Sequence, residues 1–356
     1  MSTCATSSRE LAEPLAGTAA TARTWLLIEQ TGPWGAKAVT SSHLDPDVGR
    51  ALERAADGTG VRIALIRRPG RHADRRRPTR QRVFAAHTVP GRSWMRTTLV
   101  TDPAALLTLD FAALGAGDVR ALPLATQRPF APWAAQPTQP TQPTPRTGTL
   151  IAPPADLSAP PPHWEPYEGE PLAFVCTNGK RDRCCALLGR PLVAELAAMG
   201  GATDVWEITH IGGHRFSPTL LVLPYGYAYG RATTHSVKEV LSAARRGRIT
   251  IEGARGRSAW DRPGQAADLA VRRFTGEVLA DVLAVSEVVA KPVPHGQKAG
   301  GPDTGWAVSV THYDGRAWRV ILAQGASEPP RPESCGAALG TPAHLRVISV
   351  TPLPPA

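Results

Sequence analysis

Short apolar runs separated by turn residues set the pattern of this chain. Trp25-Leu26-Leu27-Ile28 is an unbroken apolar stretch closed by Gly32, Pro33 and Gly35, the length of a buried strand rather than a helix. Over residues 47–56, Val48, Ala51, Leu52 and Ala55 recur at helical spacing and predict an amphipathic helix. Val61 to Ile66 then predicts a second strand. Strand, helix and strand in that order imply a parallel pair with a right-handed crossover. Two further β-like runs, 83–86 and 97–100, and a helical segment around 103–109 complete this half.

The pattern returns after residue 166. Leu172-Ala173-Phe174-Val175 predicts a buried strand that delivers Cys176 at its end. A helix is predicted to start near Pro191, with Leu192, Val193, Leu196 and Ala197 as its apolar face and Gly200-Gly201 as its stop. Val205-Trp206-Glu207-Ile208 is the next strand and runs into His210. Leu220 to Leu223 is a third, bracketed by Pro218 and Pro224. Thr234 reads as the cap of a helix carrying Val237, Val240, Leu241 and Ala244, and a last long helix is predicted over 266–284. In the tail, 306–310, 318–322 and 345–350 alternate as strands do, with Tyr313-Asp314-Gly315-Arg316 as a hairpin turn.

These elements predict an α/β fold made of two related halves and a small C-terminal β appendage. The expected divisions are a loosely held polar arm over 1–22, an N-terminal α/β half over 23–128, a linker over 129–166, a second α/β domain over 167–290 and a β-rich tail over 291–356. The linker rests on composition: twelve prolines fall between 129 and 166, with Gln-Pro-Thr repeated at 136–144, so regular backbone pairing is not expected there.

Composition and charge narrow the function. The chain has 356 residues, of which 20% are charged and 42% hydrophobic, as in an ordinary globular protein. Its net charge of +10 favours an acidic partner surface, and no nucleic acid is expected. The densest charge run is Arg67, Arg68, Arg71, Arg75, Arg76, Arg77, Arg80 and Arg82, read as a solvated loop or a docking surface for an acidic redox partner. No apolar stretch is long enough for a membrane span, and the N-terminus lacks the pattern of a secretory signal. Five cysteines, three of them clustered, do not make a disulfide framework, so a cytoplasmic location is expected.

The chemistry is concentrated in two loops. Cys176 and the doublet Cys184-Cys185 flank Lys180-Arg181-Asp182-Arg183, and the other loop is His210-Ile211-Gly212-Gly213-His214. An acid does not follow His210, so the pair is not a zinc-hydrolase HExxH helix. Glycines between the histidines let the backbone bend and bring both imidazoles to one point. Loops that follow adjacent parallel strands converge, so two thiolates and two imidazoles meet. That donor set suits a Cys₂His₂ zinc ion or a [2Fe–2S] cluster with Rieske-type ligands. Cys4, Cys335 and His312 are expected to be bystanders.

The segments FVCTNGKRDRCC and WEITHIGGHRFSPTLLVLPYGYAYGR, with the opening PLAGTA and WLLIEQTGPWG, resemble the sucrase/ferredoxin-like family. The resemblance implies a thioredoxin-like [2Fe–2S] ferredoxin fold, in the branch whose cluster has two cysteine and two histidine ligands. It implies Cys176 and Cys185 on one iron, with Cys184 as the alternative to Cys185, and His210 and His214 on the other. Lys180, Arg181, Asp182, Gly212, Gly213 and Arg215 surround that set. Electron transfer or redox sensing follows, with no catalytic residue assigned. Neutral imidazoles raise the potential, and their ring N–H groups allow reduction to couple to proton uptake. The family's name implies a glycoside hydrolase instead, for which Glu165, Glu168, Glu170 and Glu207 are the available carboxylates.

Overall fold

The apolar runs of both halves become strands of one sheet. In the computed structural model the described residues are 3–70, 79–123, 162–200, 204–293 and 303–354, of which the side chains of 291–293, 303 and 304 are left aside. The first half contributes β1 (Thr24–Glu29), α2 (Pro46–Ala56), β2 (Val61–Arg67), β3 (Gln81–His87), β4 (Trp94–Val100) and α3 (Phe111–Ala116), preceded by α1 (Cys4–Glu10). The second contributes β5 (Glu165–Pro166), β6 (Leu172–Cys176), α4 (Arg183–Ala198), β7 (Val205–Ile208), β8 (Leu220–Leu223), β9 (Tyr227–Tyr229), α5 (Thr234–Arg245), β10 (Ala254–Arg257) and α6 (Arg262–Thr275). The ten strands lie in the order β10-β9-β8-β6-β7-β2-β1-β3-β4-β5.

Each half repeats one pattern. β1 pairs parallel with β2 and antiparallel with β3, which pairs antiparallel with β4; β6 pairs parallel with β7 and antiparallel with β8, which pairs antiparallel with β9. The halves join where β2 meets β7 antiparallel, at Ile66 opposite Ile208 and Arg67 opposite Glu207.

Strand alternation sorts side chains between two faces. Leu26, Ile28 and Leu65 pack with Leu52 of α2, and Ala173, Val175 and Val205 pack with Leu192, Val193 and Leu196 of α4 and Val237 and Val240 of α5. Trp25, Leu27, Ala64, Ile66, Phe174, Trp206 and Ile208 turn to the opposite face and form one core shared by both halves. There Phe84 of β3 meets Phe174 of β6 at 6.2 Å and Trp206 of β7 at 5.6 Å between ring centroids. Since β2 and β1 lie between β3 and β7 in the sheet, the sheet curls until this face closes on itself.

A second sheet follows α6. It comprises β11 (Leu283–Val293), β12 (Asp303–His312), β13 (Ala317–Ala326) and β16 (Ala343–Leu353), all antiparallel, while β14 (Arg331–Pro332) and β15 (Leu339–Gly340) form a separate short pair. Ala266, Ala267, Ala270 and Val271 of α6 pack on Val308, Val310, Val320 and Leu322 of this sheet.

Several expectations change. The arm over 1–22 is docked rather than loose: α1 is capped by Thr3, and Cys4, Ala5 and Ser8 are buried. α4 begins at Arg183, not near Pro191, because the Asp182 carboxylate accepts the backbone N–H of Cys184 and starts the helix there. Pro191 lies inside it. The last long helix ends at Thr275, where Gly276 takes a left-handed conformation as its cap. α5 is capped by Thr233, one residue before the expected Thr234. Of the expected linker, 129–161 lies outside the described residues, and Glu165–Pro166 is a strand paired to β4. Arg71, Arg75, Arg76 and Arg77 also lie outside them.

Candidate metal centre

Three elements bring their ends to one place. β6 and β7 run side by side with Cys176 opposite Ile208, so Cys176 and the loop carrying His210 leave the sheet at the same edge. The first turn of α4 carries Cys185 to that edge. A side chain at Gly189 would collide with the Cys176 carbonyl, and glycine there lets α4 lie directly against the end of β6. Cys176, Cys185 and His210 each place a ligand atom within 4.8 Å of the others. Cys185 Sγ is 3.9 Å from His210 Nδ1. Both cysteines are buried, whereas His210 is partly open to solvent.

His214 stands beside this group rather than in it, with its ring centroid 5.1 Å from that of His210. Gly212 and Gly213 make the turn between them at φ of +78° and +72°, the left-handed region that glycine enters without a Cβ clash. His214 Nε2 is 2.8 Å from the Glu333 carbonyl, which only accepts, so Nε2 carries the proton and Nδ1 the lone pair. That Nδ1 is buried and has no hydrogen-bond partner among the described residues. Such an atom is costly to leave unpaired, and an outer partner on the far nitrogen is how histidine ligands are oriented.

The charge environment suits thiolate ligands. Cys176 is pushed well below the ordinary thiol range, first by the hydrogen bond from Cys185 and then by His210, while the same hydrogen bond and burial push Cys185 up. Burial pushes His214 down, against the nearby Asp182 carboxylate, which favours the neutral imidazole.

Arg255, which no sequence pattern marked, lies fully buried behind the histidine loop. Its guanidinium donates to the Gly212 carbonyl at 3.0 Å, to Thr18 Oγ1 at 3.1 Å and to the Thr18 carbonyl. Burial pushes its pKa down to about 9 with Arg215 acting in the same sense, while Cys176 and Cys185 hold it up. Any Cβ at Gly213 would overlap this guanidinium. Its strand, Ala-Arg-Gly-Arg, reads as polar, so burial of both arginines was not legible.

The other expected residues take different places. Lys180, Arg181 and Arg183 are exposed. Asp182 caps α4 and lies 3.7 Å from His214 Nε2. Arg215 is paired with the buried Glu13 at 2.7 Å. Cys184 faces away from Cys176, with its Sγ 3.4 Å from Cys4 and 3.1 Å from Cys335. Cys4 and Cys335 are therefore not scattered bystanders. His312 is held by Glu277 and Asp314 at 3.2 and 2.7 Å, away from any cysteine. Among the carboxylates, Glu207 is bonded to Arg67 at 2.7 Å and to the Thr177 hydroxyl at 2.6 Å, and Glu170 pairs with Arg245 at 2.8 Å.

Fold and site together define a mixed α/β protein with buried thiols and neighbouring imidazoles gathered at strand ends, donors of the kind that hold a metal. Residues 15–256 match the sucrase/ferredoxin-like family, and the chain belongs to it. No curated protein and no solved structure matches the chain.

Proposed function

We propose that this chain is a [2Fe–2S] protein that carries or senses single electrons, with Cys176, Cys185, His210 and His214 as the ligands. The observation that carries the reading is His214 Nδ1, a buried lone pair without a partner among the described residues, beside a group that already contains Cys176, Cys185 and His210. The donor set fits: two thiols and two neighbouring imidazoles, with Glu333 holding the far nitrogen of His214. When bound, such a cluster supplies a one-electron couple, higher in potential than one held by four thiolates.

The chain's own residues support that use. Cys176 and Cys185 are closed off from solvent, while His210 is partly open and offers the route for an electron. Arg255 holds a buried positive charge near the thiolates, which favours the more negative reduced state. Lys180, Arg181 and Arg183 surround the cysteine loop with exposed positive charge suited to an acidic redox partner in the cytoplasm. The repeated strand pattern supports reading the two halves as copies of a thioredoxin-like unit, of which only the second keeps the ligands. Glycoside hydrolysis is disfavoured, because two of the candidate carboxylates are committed elsewhere, Glu207 to Arg67 and Thr177 and Glu170 to Arg245.

The test is the visible and EPR spectrum of the anaerobically purified full chain with iron and sulfide analysis. About two irons and two sulfides per chain are expected, lost in Cys176→Ser and His210→Ala. In Cys184→Ser the visible spectrum should remain. Zinc removed by His210→Ala, with no iron even after reconstitution, would replace the redox reading with a structural Cys₂His₂ site.

A further inference from the structure

We propose that Cys4, Cys184 and Cys335 form a second, structural metal site that binds one zinc ion and staples α1 and the loop between β14 and β15 onto α4. The site is distinct from the redox centre and does not depend on that reading. Three sulfurs from positions 180 and 151 residues apart in sequence converge, with Sγ separations of 3.4, 3.1 and 3.6 Å around the triangle. The Asp182 carboxylate completes a four-residue group whose ligand atoms all lie within 4.8 Å of one another.

The geometry favours one shared ion. Tetrahedral zinc with Zn–S of about 2.3 Å needs sulfurs about 3.8 Å apart, so each sulfur here moves outward by roughly 0.2 Å. A disulfide would join two of the three and leave the third thiol buried against it. Three nearly equal edges are what donors to a single ion make. Asp182 is held ready as the fourth donor, because its two oxygens accept the backbone N–H groups of Cys184 and Cys335 at 2.8 and 2.9 Å. Cys184, in the first turn of the sixteen-residue α4, also has its thiolate favoured by the helix N-terminus.

The packing around the site calls for such a staple. Apart from the thiols, the local apolar cluster contains only Ala5 among the described residues. α1 is seven residues long, and Cys335 lies between two-residue strands. Segments this small bury too little apolar surface to fix themselves, and metal ligation commonly supplies what is missing. Glu13 assists from the same side, bridging Arg215 at 2.7 Å and Arg331 at 3.2 Å. Through Asp182, 3.7 Å from His214 Nε2, the staple also steadies the histidine loop.

The experiment is elemental analysis of the full-length protein purified under argon without chelators, followed by titration of chelator-treated protein with zinc sulfate. About one zinc per chain is expected, retained in His210→Ala, lost in Cys4→Ser and Cys335→Ser, and recovered on titration. Counting thiols with Ellman's reagent keeps the test decisive if those variants fold poorly: in the wild type, zinc should protect three thiols that chelation exposes. The proposal is overturned if zinc neither copurifies nor rebinds, if the Cys4→Ser/Cys335→Ser double variant keeps its zinc, or if intact mass shows a disulfide within the trio.

Discussion

Removing one partner of the Arg67–Glu207 pair should show how firmly the two halves are locked together. The pair closes the β2–β7 junction, with side chains only 6% and 8% exposed and both Arg67 Nε and Nη2 on Glu207 Oε2, at 2.9 and 2.7 Å. Arg67→Met leaves a buried carboxylate with the Thr177 hydroxyl as its remaining donor, which costs about 3–5 kcal/mol. Glu207→Gln costs less, because the guanidinium keeps its stack on Trp34 at 4.3 Å. With a urea slope of about 3 kcal/mol/M for a chain of this size, the Arg67→Met midpoint should fall by about 1–1.7 M. Replacing both with methionine should recover more than half of that loss, since a packed apolar pair needs no counter-ion. Urea unfolding followed by far-UV circular dichroism measures all three. A shift below about 0.3 M for Arg67→Met, or a double methionine variant no more stable than Arg67→Met alone, would refute the argument.

Three further outcomes follow from buried groups elsewhere. The Thr24 hydroxyl donates to the Leu114 carbonyl and so accepts from His87 Nδ1, leaving Nε2 a buried lone pair without a partner among the described residues; burial, with Arg92, Arg23 and Arg257, pushes the His87 pKa down to about 4. The unfolded chain therefore binds the proton first as pH falls below about 6.5, and about 2 kcal/mol of stability should be lost between pH 7 and pH 5, a loss that His87→Phe removes from the urea midpoint. Gly213→Ala places a Cβ against Arg255 at a left-handed φ and costs at least about 1–2 kcal/mol; its iron content should fall while zinc stays. Arg255→Gln removes a buried charge near the thiolates and should lower the reduction potential by on the order of tens of millivolts in film voltammetry, and an unchanged potential would show that the charge is not felt.

The sequence carried the strands well because each is a short apolar run ended by a turn residue: Val205–Ile208 and Leu220–Leu223 have the expected bounds. Helix starts were less legible. The proline at 191 looked like a first helical position, yet a cap nine residues upstream decided where α4 begins, because an aspartate that satisfies an N–H of the first turn outweighs a residue that only lacks a donor. Convergence of Cys176, Cys185 and His210 could be argued from parallel strands alone. The contact of residues 4, 184 and 335 could not, since it depends on how a seven-residue helix and a loop of the tail dock on the finished domain. No local pattern encodes that. Arg255 was hidden for the same reason: its burial is created by Thr18 and Gly212 from two other segments.

The cysteine doublet shows what one helical turn can do. In sequence, Cys184 and Cys185 compete for one role. On a helix, neighbouring residues point about 100° apart, so a doublet in the first turn cannot place both sulfurs at one centre. Cys185 turns to Cys176 and His210, and Cys184 turns to Cys4 and Cys335. Asp182 fixes which goes where. By capping α4 it sets the rotation of the first turn, and the same carboxylate reaches the Cys335 backbone and the neighbourhood of His214. A register shift of one residue would put one cysteine in the other's place and bring Arg183 or Ala186 to the remaining site, so the cap gives each sulfur its destination, which the KRDRCC string does not reveal by itself.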